Sequence, residues 1–86
     1  MSTTEPHRSP EEVDRLGPEV FDRGVRPSLR PEDHGKFVAI DIGSGDYELD
    51  EDDYTAIMRL RDRRPRADVW LGRVGEPAAY RMRAVR

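Results

Sequence analysis

No cysteine occurs in the 86 residues, which excludes disulfides and thiolate metal sites. Histidine is scarce, with His7 and His34 the whole supply. Long apolar runs are missing as well. Nothing approaches the roughly 18 consecutive apolar residues that cross a bilayer, so no membrane role is expected. Met1 to Pro10 is polar and lacks the apolar region of a signal peptide, which makes the cytoplasm the expected address. Lysine is reduced to Lys36, the other fourteen basic residues being arginine. Aromatic residues are few: Trp70, three tyrosines and two phenylalanines.

What is present is charge, at 38% of the chain against 35% hydrophobic residues. One small domain fits this length, and a chain of this size buries only roughly 60–65% of its unfolded surface. The net charge of −3 hides a segregation. Residues 1–58 hold six basic and fifteen acidic side chains, and residues 59–86 hold nine basic and three acidic ones. Such asymmetry points either to pairing within the molecule or to a partner that reads one sign of charge.

Secondary-structure signals divide the chain near residue 34. Ser9-Pro10-Glu11-Glu12 is a helix start with a capping box, and Gly17-Pro18 predicts a stop, giving a short helix over 10–16. A further short turn fits 19–22. Pro27 and Pro31 favour an extended arm over 25–33. From residue 35 onward the pattern is ββαββ. Lys36 to Ile42 reads as a strand with Val38, Ile40 and Ile42 on one face, Gly43 to Asp46 as a turn, and Tyr47 to Asp50 as the returning strand. Asp50 would cap a helix whose buried stripe is Tyr54, Ile57, Met58 and Leu60, closed by Pro65. Residues 69–74 and 79–85 supply two more strands around a Gly75-Glu76-Pro77 turn. The expectation is an α+β fold: a mainly antiparallel four-stranded sheet in the order 2-1-3-4, with one helix on one face. That helix would bury Val38, Ile40, Ile57, Met58 and Trp70 or Leu71. Residues 1–34 form a flexible, partly helical extension, and residues 35–86 form the domain.

Several residue groups invite a chemical reading. Phe37 to Ser44 followed by Gly45 resembles the first phosphate loop of the actin and sugar-kinase superfamily, although Gly-x-Gly between strands is ordinarily a hairpin turn. The acidic run Asp46 to Asp53 fails the calcium-loop pattern, with Glu51 at position six and Ile57 at position twelve. It reads better as carboxylates around a helix N-terminus. Asp33 and His34 are adjacent, but sequence neighbours rarely offer proton-relay geometry. No catalytic residue, metal site or cofactor is expected. Arg59, Arg63, Arg66, Arg81 and Arg83 form a candidate anion-binding set for nucleic acid or phosphate, or else pair with the 46–53 acids. Val13, Leu16, Val20, Phe21, Val25 and Leu29 string apolar anchors along the N-terminal arm. They either fold back on the sheet or order on a partner, and arms exchanged between two copies would satisfy both.

Arg26-Pro27-Ser28-Leu29-Arg30-Pro31, then Gly35 to Asp41, then Gly45 to Asp52 resemble the shared core of a family of short bacterial proteins. Arg73-Val74-Gly75 and Tyr80-Arg81 match its later Arg-x-Gly and aromatic strand. The likeness covers about three quarters of the chain and departs at Gly75-Glu76-Pro77-Ala78, where the family often has a basic or histidine turn. It implies no catalytic residues. It implies a companion of a neighbouring gene, sometimes an aspartic-protease-like one, in an antitoxin-like or accessory role. The leading expectation is therefore a non-enzymatic partner protein that docks through its arm, as a companion or a homodimer. Nucleic-acid or phosphate binding is the alternative.

Overall fold

A helix start that needs no tertiary help opens the described chain. Ser9 accepts the Glu12 amide at 3.2 Å while Glu12 takes the Ser9 amide at 3.3 Å, and Pro10 supplies a preset first turn. The computed structural model describes residues 8–75 and the backbone of Ala84–Val85. Helix α1 (Pro10–Val20) does not stop at residue 16 as expected, because it runs through Gly17 and Pro18. It widens into a π turn (Phe21–Val25), closed by the Arg26 amide on the Phe21 carbonyl. Two 3₁₀ turns, Arg26–Ser28 and Pro31–Asp33, occupy the stretch expected to be extended.

Tertiary contact explains the continuation. A mid-helix proline costs about 3 kcal/mol in isolation, but Gly17 here sits directly on the Trp70 indole, in space that any side chain would invade. Running past Pro18 also carries Val20, Phe21 and Val25 onto the sheet, where Val25 is fully buried. Burial of such side chains stabilises by roughly 1.5–3 kcal/mol each. The packing outweighs the proline.

The sheet is antiparallel and runs β2–β1–β3, from β1 (Phe37–Asp41), β2 (Tyr47–Asp50) and β3 (Val69–Arg73). Strand β1 is central, with Val38 opposite Leu49 on one side and Gly72 on the other. Ala84–Val85 lies antiparallel along the outer edge of β3, pairing with Trp70 and Val69. The rest of the strand expected over 79–85 lies outside the described residues. Helix α2 (Asp53–Arg63) connects β2 to β3 and is capped by Asp52 rather than Asp50. Three antiparallel strands and two α-helices among the described residues make the class α+β.

Both sheet faces are covered, where one was expected to be. Val38, Ile40 and Trp70 point toward α1 and join Val13, Val25 and Ile42 in one core, with Leu16, Val20, Phe21, Leu29, Tyr47 and Leu49 packed against it. Ala39 and Val69 point the opposite way, toward Ala56 and Leu60 of α2, with Ile57, Ala67 and Leu71 at the margin. The loose N-terminal extension is thereby corrected: residues 10–29 are a helical cover that shares its core with the sheet. The stripe assigned to α2 is corrected too. Ala56 and Leu60 are fully buried, whereas Tyr54 is 67% and Met58 40% exposed.

Candidate functional site

The residues singled out as docking anchors are spoken for. Val13 and Val25 are buried, and Leu16, Val20, Phe21 and Leu29 are half-buried against the same core. Phe21 meets Trp70 at a ring-centroid distance of 6.4 Å and carries the Arg26 guanidinium over its other side at 5.7 Å. These six side chains are not a free string for a partner.

The β1–β2 turn is closed on itself. Asp41 accepts from the Gly43 amide (3.1 Å), the Ser44 hydroxyl (2.8 Å) and the Asp68 amide (3.3 Å). The Gly45 amide returns to the Asp41 carbonyl at 2.7 Å, and Gly45 takes φ +80, a conformation glycine tolerates. The amides that a phosphate loop would aim outward are used internally. The structure bears out the hairpin reading.

Asp33 and His34 do not form a pair. The Asp33 carboxylate is held by the Arg30 amide at 2.9 Å and the Lys36 ammonium at 3.1 Å. These contacts, the Arg30 amide foremost, keep its carboxyl below the usual range. The exposed His34 ring instead lies against Gly75. Arg73 stacks over Phe37 at 5.1 Å and donates to the Gly35 carbonyl at 3.1 Å.

The acidic run and the arginines of α2 meet along one flank of the molecule. Arg59 pairs with Asp50 at 3.2 Å. Arg63 bridges Asp46 at 2.9 Å and also Glu48, and Arg64 reaches Asp46 at 3.1 Å. The hydrogen bond from Arg63, with help from Arg64 and the Tyr47 amide, holds the Asp46 carboxyl below its ordinary range. Asp52 is committed to the cap, accepting from the Thr55 amide and hydroxyl, each at 2.8 Å. The Thr55 hydroxyl is the larger influence holding its carboxyl low. Arg59 and Arg63 are thus consumed by intramolecular pairs. Arg66 is exposed and without an ion pair among the described residues, while Arg81 and Arg83 lie outside them. Among the described residues, no group of three or more acidic or histidine side chains is placed to hold a metal.

One feature escaped the sequence reading. The solvent side of α2 presents Tyr54 and Met58 one helical turn apart. Glu51 lies three residues before Tyr54, and Arg61 three residues after Met58. Neither has an ion-pair partner among the described residues. The signal was available in the companion pair Ala56 and Leu60, also four apart, whose small first member lets the helix approach Ala39 closely.

No helix of the described residues is long and apolar enough to cross a membrane. Comparison with known proteins supplies no kinship for this arrangement: no family model matches the chain, and no curated protein and no solved structure matches it significantly.

Proposed function

We propose that this chain is a non-enzymatic partner protein, and that its docking face is the solvent side of α2 rather than the segment from Val13 to Leu29. The observation that carries this reading is the outward Tyr54–Met58 pair, 67% and 40% exposed on a helix that buries only Ala56 and Leu60. Leaving two large side chains in water forgoes stabilisation that a partner's surface can recover. Tyrosine and methionine are also residue types enriched at interfaces, and tyrosine is a frequent anchor. The non-enzymatic part rests on the carboxylates of Asp33, Asp41, Asp46 and Asp52, each engaged by hydrogen bonds that maintain the fold.

A cytoplasmic companion of a neighbouring gene's product is the role this reading suits, and residues 79–85 would extend the sheet to four strands from the Ala84–Val85 seed. Co-expression of the chain with that product and co-purification of the two is the test. Tyr54→Ser with Met58→Ser should abolish the complex while circular dichroism stays unchanged. Retention of the complex by the double variant would rule out α2 as the docking face. Nucleic-acid or phosphate binding is less well supported, since Arg59 and Arg63 already pair with the β2 carboxylates of Asp50 and Glu48. It would depend on Arg66, Arg81 and Arg83.

A further inference from the structure

We infer that Arg63 and Asp46 guard the outer edge of β2, occupying backbone groups through which another strand would add to the sheet. Among the described residues β2 is an edge strand, with β1 on one side and no strand on the other. Such an edge is a template for pairing with a further chain unless something blunts it. The ladder to β1 fixes which groups of β2 face outward. The Asp41 amide donates to the Asp46 carbonyl at 2.8 Å, whereas the Ile42 amide donates to the Asp68 carbonyl at 3.1 Å. Odd-numbered residues of β1 therefore bond toward β2 and even-numbered ones toward β3. Ala39 lies opposite Glu48 and Phe37 opposite Asp50. Glu48 and Asp50 thus turn their amides and carbonyls inward, and Tyr47 and Leu49 turn theirs to the open edge.

Both outward groups of Tyr47 are already engaged. Its amide donates to the Asp46 carboxylate at 2.9 Å, and its carbonyl accepts from the Arg63 guanidinium at 3.3 Å. Arg63 is anchored in turn by Asp46 at 2.9 Å and by Glu48. Two copies of β2 paired antiparallel about Glu48 would set each Tyr47 on the other copy's Leu49. Every hydrogen bond of that ladder uses a Tyr47 amide or carbonyl, so the guard removes all of them. Pairing about Tyr47 fails for the same reason. Pairing about Leu49 keeps only its central pair, and it sets Glu48 opposite the other copy's Asp50 on either side, where like charges destabilise. The guard concerns Arg63 and the sheet edge, so it stands or falls apart from the docking face on α2.

Amide hydrogen exchange of Tyr47 and Leu49, read by NMR at about 50 μM and about 1 mM, reports strand addition directly. In the wild type both rates should be independent of concentration. The same should hold for Glu48→Thr, which removes a like charge from the pairing but keeps Arg63 on Asp46 and Tyr47. Adding Asp46→Ala and Arg63→Ala removes one charge of each sign and opens the edge. Tyr47 and Leu49 should then exchange at least about threefold more slowly at the higher concentration, because pairing protects their amides. Circular dichroism and Trp70 fluorescence establish that this triple variant is folded. If it is not, Glu48→Thr with Arg63→Ala, which frees the Tyr47 carbonyl alone, replaces it with the same expectation. A folded unguarded variant whose rates ignore concentration overturns the inference. So does equal slowing in the wild type or in Glu48→Thr, since the edge would then be open with the guard in place.

Discussion

Gly17→Ala should destabilise this protein, although the same change in most helices does the opposite. Replacing a mid-helix glycine by alanine ordinarily gains about 0.5–1 kcal/mol, because alanine loses less backbone freedom on folding. At Gly17 the added Cβ falls on the Trp70 Cγ, Cδ1 and Cδ2 atoms, overlapping by more than about 1 Å a normal carbon–carbon approach. The indole cannot yield. A Cβ on Gly72 would stand 2.5 Å from its Cη2, and Phe21 closes another side. Overpacking of this kind costs about 1–3 kcal/mol, and more where neither partner moves. After the propensity gain is subtracted, a net loss of about 2 kcal/mol remains. That corresponds to a fall in Tm on the order of 10 °C for a chain of this length. Urea and thermal unfolding followed by the fluorescence of Trp70, the single tryptophan, measure it. Gly24→Ala is the control, since nothing lies within 4 Å of its Cβ position and its backbone is helical. It should be neutral or stabilising by up to about 1 kcal/mol. Should Gly17→Ala prove as silent as Gly24→Ala, α1 is not seated on the indole and the helical cover is an arm after all.

Other perturbations test separate supports of the fold. Ser9→Ala removes the capping box and should cost about 1 kcal/mol in urea unfolding, with Ser9→Asp retaining most of it. Val25→Ala, at a fully buried position of the cover, should cost about 1–3 kcal/mol by the same measurement. A partner-facing Val25 would instead leave stability untouched. Asp46 sets a pH dependence whose sign is fixed by its lowered carboxyl. Its stabilisation is complete above the unfolded-chain value of about 3.9 and is lost as pH falls through the lower folded value. Denaturant midpoints between about pH 5 and pH 2 should therefore fall less steeply in Asp46→Asn than in the wild type.

Much of the local structure was legible because the signals are short-range. Ser9 and Glu12 form the expected capping box, Gly43 to Asp46 forms the expected turn, and β1 lies between β2 and β3. The segregation of charge resolves, between α2 and the β1–β2 hairpin, into the pairs Arg59–Asp50 and Arg63–Asp46. The N-terminal segment was misread for a long-range reason. Gly17 and Pro18 are strong local stop signals, and only an indole supplied from more than fifty residues away makes that glycine a contact surface instead. The π turn after Val20 has no local signature either.

The misassigned face of α2 has a different origin, and it bears on function. A strand buried on both sides reads as a continuous apolar run, whereas alternation marks a sheet with one wet face. Phe37-Val38-Ala39-Ile40 is such a run, as is Val69-Trp70-Leu71. The larger side chains of the two strands, Val38, Ile40 and Trp70, face α1 and are covered by its long apolar residues. What remains for α2 is a shallower surface of Ala39 and Val69, which Ala56 and Leu60 fill between them. Burial of Ala56 and Leu60 sets the rotation of the helix about its axis, and the exposed pairs of Arg59 with Asp50 and Arg63 with Glu48 lie along its flank. With that rotation set and the shallow face already filled, Tyr54 and Met58 meet nothing to cover among the described residues. The helical cover over the opposite face is thus what frees them, and a substitution that loosened α1 would disturb the α2 surface only by unfolding the sheet between them.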